Sequence, residues 1–128
     1  MAQGTDGNLY GTTLYGGAYG DLGTLFSIPP AGLFSTLHSF DGTGGVDPYC
    51  GLLQATDGNF YGTALAGGVI SCPGGCGTVF SRSMGLGPFV TTLPVGAKAG
   101  ATIRILGADL TGASAVTFNG VAATYTVN

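Results

Sequence analysis

Gln3-Gly4-Thr5-Asp6-Gly7-Asn8-Leu9-Tyr10-Gly11-Thr12-Thr13-Leu14-Tyr15-Gly16-Gly17 returns 51 residues later as Gln54-Ala55-Thr56-Asp57-Gly58-Asn59-Phe60-Tyr61-Gly62-Thr63-Ala64-Leu65-Ala66-Gly67-Gly68, with eleven of the fifteen positions identical. A second echo comes further on: Gly23-Thr24-Leu25-Phe26-Ser27 returns as Gly77-Thr78-Val79-Phe80-Ser81 at a shift of 54, so three residues have entered between the two matches, where Ser71 to Cys76 lies. A fixed period of about 50 residues marks a repeat architecture, in which one supersecondary unit is used twice.

Each unit reads as four strands. The first ends at Thr5 or Thr56, and Asp-Gly then supplies a tight turn, because both residues tolerate the positive φ that such hairpins require. The second run is Asn8 to Leu14, matched by Asn59 to Leu65. The third is Gly23 to Ile28, matched by Gly77 to Arg82. The fourth is Leu33 to Phe40, where period-two alternation puts Phe34, Thr36, His38 and Phe40 on one face. Its copy, near Phe89 to Leu93, is degraded. Four antiparallel strands in about 50 residues is the size of a β-propeller blade.

Composition agrees. Charged residues are only 7% of the chain and Glu is missing altogether, so exposed helix faces have little to be built from. With 26 glycines among Val, Ile, Leu, Phe and Tyr, the chain reads as all-β, with short strands joined by Gly turns. A net charge of −3, with Arg82, Lys98 and Arg104 scattered, argues against nucleic-acid binding. Mean hydropathy is positive, yet Gly, Thr, Ser or Asp interrupts every apolar run well short of the roughly 18 residues a membrane helix needs. The chain opens in repeat sequence, so an export signal is expected upstream of it.

From Pro94 the pattern changes. Ile103 and Ile105 alternate with Thr102 and Arg104, Ala108 to Gly112 forms a turn, and Asn119-Gly120 is a strong hairpin signal between two short runs.

These motifs resemble known families. Gln-x-Thr-Asp-Gly-Asn-Phe/Leu-Tyr-Gly-Thr, then Gly-Thr-Val/Leu-Phe-Ser, then Leu-His-Ser-Phe-Asp-Gly, is similar to the GloVer tandem repeat of bacterial exported "choice-of-anchor" proteins, over residues 1–93. That resemblance implies a cell-surface or extracellular location and a propeller-like array, with no established chemistry. Gly-x-Thr-x-x-Ile-x-Gly-x-x-Leu-x-Gly followed by Val-x-Phe-Asn-Gly-x-x-Ala resembles the start of an IPT/TIG immunoglobulin-like domain. A full sandwich takes about 100 residues, so a truncated one is expected here. The expected organisation is therefore repeat 1 at 1–50, repeat 2 at 51–93, and the first strands of an immunoglobulin-like β-sandwich at 94–128.

The candidate chemistry is thin. Asp6-Gly7-Asn8 and Asp57-Gly58-Asn59 echo the middle of calcium loops, but an EF-hand needs alternating acidic ligands and a closing Glu, so they read as turns. Cys72-Pro73-Gly74-Gly75-Cys76 suits a small disulfide, with free thiols or a metal site completed by Cys50 and His38 as alternatives. An oxidising compartment fits the resemblance. Cys50 is expected to be a small buried hydrophobe. His38 lacks a neighbouring nucleophile or carboxylate in sequence and reads as a sheet-face residue. Tyr10 and Tyr61, at one repeat position, are expected to pack sheet against sheet, although exposed tyrosines would suit stacking on sugars. No catalytic, cofactor or metal residues are expected. The expected role is a non-enzymatic scaffold and spacer with an unidentified protein or carbohydrate ligand, alongside further repeats and the remaining sandwich in a parent chain. The alternatives are two blades of a secreted propeller enzyme, of lyase or lactonase type, and a structural segment of a surface fibre.

Overall fold

The structure is a computed structural model and describes residues 1–68 and 71–127. It is all-β: every regular element apart from one 3-10 turn, Leu110–Gly112, is a strand. Among the described residues, no helix is long and apolar enough to cross a membrane.

Repeat 1 forms an antiparallel meander of four strands, β1 (Ala2–Gln3), β2 (Leu9–Thr13), β3 (Thr24–Ile28) and β4 (Ser35–Ser39), in that spatial order. Repeat 2 forms β5 (Leu53–Gln54), β6 (Phe60–Ala64) and β7 (Thr78–Arg82), with the same pairings. Tyr10 faces Ser27 across β2 and β3, and Tyr61 faces Ser81 across β6 and β7, so the registers are those of one unit used twice.

Two expectations need correction. The degraded fourth strand, β8 (Val90–Leu93), does not join β7; it pairs with β9 (Arg104–Gly107), which leaves the second sheet three-stranded. Its residues keep only the Thr-Leu pair of the Leu-Phe-Ser-Thr-Leu-His-Ser-Phe run that forms β4, and β9 offers it a full four-residue ladder. The single-face assignment of β4 also fails. Leu25 opposes His38 and Phe26 opposes Thr36, so Leu37 is an extra residue on β4. Such a bulge flips the alternation. Phe34 therefore stacks on Phe26 at one face, 5.0 Å between centroids, while Phe40 meets Phe80 at the other, at 5.1 Å.

The core lies between the sheets. The front face of sheet 1 carries Ala2, Tyr10 and Leu25; the back face of sheet 2 carries Phe60 and Phe80. Tyr10 and Phe60 rings sit 4.4 Å apart, with Leu25 and Phe60 fully buried and Leu52, Met84 and Leu86 closing the sides. Burying each such large apolar side chain contributes about 1.5 to 3 kcal/mol. Glycine shapes this layer: a Cβ on Gly62 would lie 2.6 Å from Phe80 Cζ, and one on Gly11 2.6 Å from Phe26 Cζ. The Tyr-Gly-Thr triplet thus lets an aromatic ring from the next strand approach the backbone closely.

Segment 46–48 ties the repeats together. Val46 and Ala66 exchange backbone hydrogen bonds, Asp47 N–H donates to Leu22 O at 3.1 Å, and Thr12 Oγ1 donates to the carbonyl of fully buried Pro48. Beyond Met84 the chain crosses beside the turn of repeat 2, where Phe89 N–H donates to Thr56 O at 2.9 Å. It then forms two separate hairpins, β8–β9 and β10 (Thr117–Phe118) with β11 (Val121–Ala122). The second turns at Asn119 and Gly120, both at positive φ, as a two-residue I′ turn requires.

Candidate functional site

The repeated polar residues converge on the first turn of each unit. Gly4 N–H donates to Asn8 O and Gly7 N–H to Gly4 O, with only Gly7 at positive φ. The loop therefore has three residues and closes on a glycine bulge; the two-residue form inferred from Asp-Gly would have placed Asp6 at positive φ as well. Repeat 2 repeats these bonds at Ala55, Gly58 and Asn59.

The aspartate holds this loop. Asp57 Oδ1 accepts the Asn59 backbone N–H at 2.9 Å, while Oδ2 accepts Asn59 Nδ2 at 3.0 Å and the Tyr61 hydroxyl at 2.8 Å. Asp6, Asn8 and Tyr10 form the same three bonds, at 3.1, 2.7 and 2.8 Å. The Asn59 N–H and Tyr61 hydroxyl keep the Asp57 carboxyl below its usual range, and the bond to Asp57 in turn raises Tyr61. Burial, then the bond to Asp6, raises Tyr10. Both oxygens of each carboxylate face donors of the chain itself, so the calcium-loop echo is a hydrogen-bonded staple.

The glutamine that opens the motif has two tasks. Gln3 and Gln54 each donate a side-chain amide to the glycine carbonyl of their own turn, Gly7 O at 3.2 Å and Gly58 O at 3.3 Å. Gln54 also reaches repeat 1: its Oε1 accepts Thr5 N–H at 3.0 Å and its amide donates to Thr5 Oγ1. The recurrence of Gln was visible in sequence; its action across repeats was not, because nothing local shows which unit it faces.

Tyr10 and Tyr61 both lie on the second strand of their unit, but their surroundings differ. Tyr10 is 4% exposed, whereas Tyr61 is half-buried, because it lies on the front face of sheet 2, over which no second sheet packs among the described residues.

His38 lies on β4, its ring edge-on to Phe40 and its Nε2 2.9 Å from Arg82 Nη2. Burial, then the Arg82 guanidinium, lowers its pKa, with Asp41 pulling weakly the other way. The imidazole is thus neutral at neutral pH and accepts from the guanidinium. Arg82, 44 residues away and read only as a scattered cation, is the partner that sequence reasoning missed. Asp41 itself is kept below the usual carboxylate range by the Thr43 hydroxyl and N–H.

Cys72 and Cys76 are joined by a disulfide, their Cα atoms 5.2 Å apart, on the exposed loop of repeat 2. Cys50 is a free thiol and is exposed, contrary to the buried role expected: it sits outside β5, just after Pro48, and its carbonyl accepts Thr12 Oγ1. Among the described residues, no group of three or more His, Cys, Asp or Glu side chains gathers in a metal-binding arrangement.

Searches of curated proteins and of solved structures give no match. A family model, the Gloeobacter/Verrucomicrobia repeat, matches residues 1–124, which runs past the change of pattern at Pro94 into the C-terminal hairpins. With nearly its whole length matched, the chain belongs to the Gloeobacter/Verrucomicrobia repeat family.

Proposed function

We propose that the chain is a non-enzymatic repeat scaffold of a bacterial secreted or cell-surface protein, holding loops out for adhesion or ligand binding. One observation carries this reading: the polar residues that define the repeat are engaged in the fold. Asp, Asn and Tyr close the turn staple, and Gln latches one unit to the next. These polar atoms bond to one another and to the backbone of the repeat, so the motif is used to hold its own chain. The disulfide supports an oxidising location. Tyr15, Tyr19 and Tyr49 stand exposed on loops, where aromatic faces suit sugar or protein ligands. In this reading the hairpins from Val90 to Ala122 are the opening strands of an IPT/TIG-type immunoglobulin-like spacer, and the two sheets are units of a propeller-like array.

The test is a glycan array probed with the chain, run beside an assay for release of products from the glycans that bind. Binding without turnover, lost when Tyr15, Tyr19 and Tyr49 are changed to Ala, is the expected result. Turnover would overturn the reading and favour a propeller enzyme.

A further inference from the structure

The repeat gives sheet 2 a front face equivalent to the one that sheet 1 buries. Leu53 corresponds to Ala2, Tyr61 to Tyr10 and Val79 to Leu25, by identical registers in the two units. In sheet 1 this face is sealed by Phe60 and Phe80. In sheet 2 it is open: Val79 is 77% and Leu53 66% exposed, against 0% for Leu25. At the other end of the stack, the back face of sheet 1 carries Leu9 and Phe26 at the positions of Phe60 and Phe80. Leu9 is exposed, where Phe60 is fully buried; Phe26 is itself buried under Phe34, whose ring stacks on it and faces outward. Each end thus offers part of the contact already formed inside the chain: Leu53, Tyr61 and Val79 at the front, Leu9 at the back, where Phe34 now stands over Phe26.

A polar observation points the same way independently. Between the repeats, Thr5 N–H donates to Gln54 Oε1. The equivalent groups at the ends are Thr56 N–H and Gln3 Oε1, and among the described residues neither makes a hydrogen bond. Donor lies at the open front end, acceptor at the open back end.

We propose that a second copy of this chain docks head to tail, its back face, with Leu9 and Phe34 outermost, covering the Tyr61–Val79 face of the first, with Gln3 of one copy latching Thr56 of the other. The proposal rests on the scaffold reading and extends it. A contact of this kind uses different surfaces on the two partners, so it propagates and does not stop at a dimer.

The experiment is sedimentation velocity of the full chain over a range of concentrations, with V79D and L9D as variants. Val79 is almost fully exposed, so V79D leaves the fold intact, as circular dichroism will check. Wild type should grow in mass with concentration beyond a dimer. Each variant alone should stay monomeric at concentrations at least tenfold higher. Mixed together, they should recover a dimer and nothing larger, because each retains the face that the other has lost. Were L9D to misfold, V79D mixed with wild type should instead cap growth and shorten the assemblies. A wild-type chain that stays monomeric throughout, or V79D associating like wild type, overturns the docking. A monomer whose Tyr10 stays buried would leave the scaffold reading standing, so the two can fail separately.

Discussion

Tyr10 and Tyr61 share a sequence context, a strand position and a hydroxyl bond to aspartate, and differ in the cover over their rings. That difference sets an energetic prediction. Tyr10→Ala should cost about 3 to 5 kcal/mol, as emptying a buried aromatic site does, while Tyr61→Ala should cost less than half as much. Urea unfolding of both variants checks this, and equal losses would contradict it. Sequence could show that the two residues are equivalent; it could not show that one lies between sheets and the other on a free face, because burial depends on which other sheet packs over the ring. His38 was legible as a sheet residue for the same local reasons, but its partner Arg82 comes from the other unit. That pairing makes a pH prediction. The folded pKa of His38 lies below its ordinary 6.5. Above that value the imidazole is neutral in both states and stability is intact; as pH falls, the unfolded chain takes up the proton first and stability drops. The carboxyls of Asp41 and Asp57, also lowered, should hold their contribution above the ordinary carboxylate value of 3.8 and lose it as pH falls through their folded values. Melting temperatures should therefore fall in two steps between about pH 7 and about pH 3, and His38→Gln should remove only the upper step.

Strands and turns are most legible in sequence where the signal is local. The second and third strands of each unit, and the Asn119-Gly120 hairpin, lie where alternation and turn chemistry put them. The elements that differ are those decided by competition or by a single inserted residue. Val90–Leu93 had two potential partners, and it pairs with β9 over its whole length. Leu37 shifts β4 by one residue, and alternation cannot reveal a bulge that only the facing strand defines. The Gly-aromatic contact offers a test at this scale. Gly62 has an ordinary φ, so Gly62→Ala adds no backbone strain and acts by pushing against Phe80 first and Leu52 second. Overpacking of this sort typically costs about 1 to 3 kcal/mol. Gly58→Ala acts differently: φ there is +89°, a strain of about 1 to 2 kcal/mol, and the Cβ would also run into the backbone of Leu86 and Gly87, so the loss should exceed that strain. If G62A melts like wild type, the ring does not approach the strand as described.

At the scale of the whole molecule the chain is two units stacked front to back, with lighter hairpins after them. The loop disulfide closes a very short ring, so replacing Cys72 and Cys76 with Ser should cost no more than about 2 kcal/mol, confined to repeat 2. Non-reducing digestion and mass spectrometry should link Cys72 to Cys76 and find Cys50 alkylated in the native protein, since that thiol is exposed. A crosslink from Cys50 to either partner would contradict the assignment. The stack itself is the central claim, and residue-resolved hydroxyl-radical footprinting at low concentration tests it most directly, because the repeat supplies its own controls. Tyr10 and Leu25 should be protected while their counterparts Tyr61 and Val79 are oxidised; equal modification within each pair would show that the front face of sheet 1 is not sealed by sheet 2.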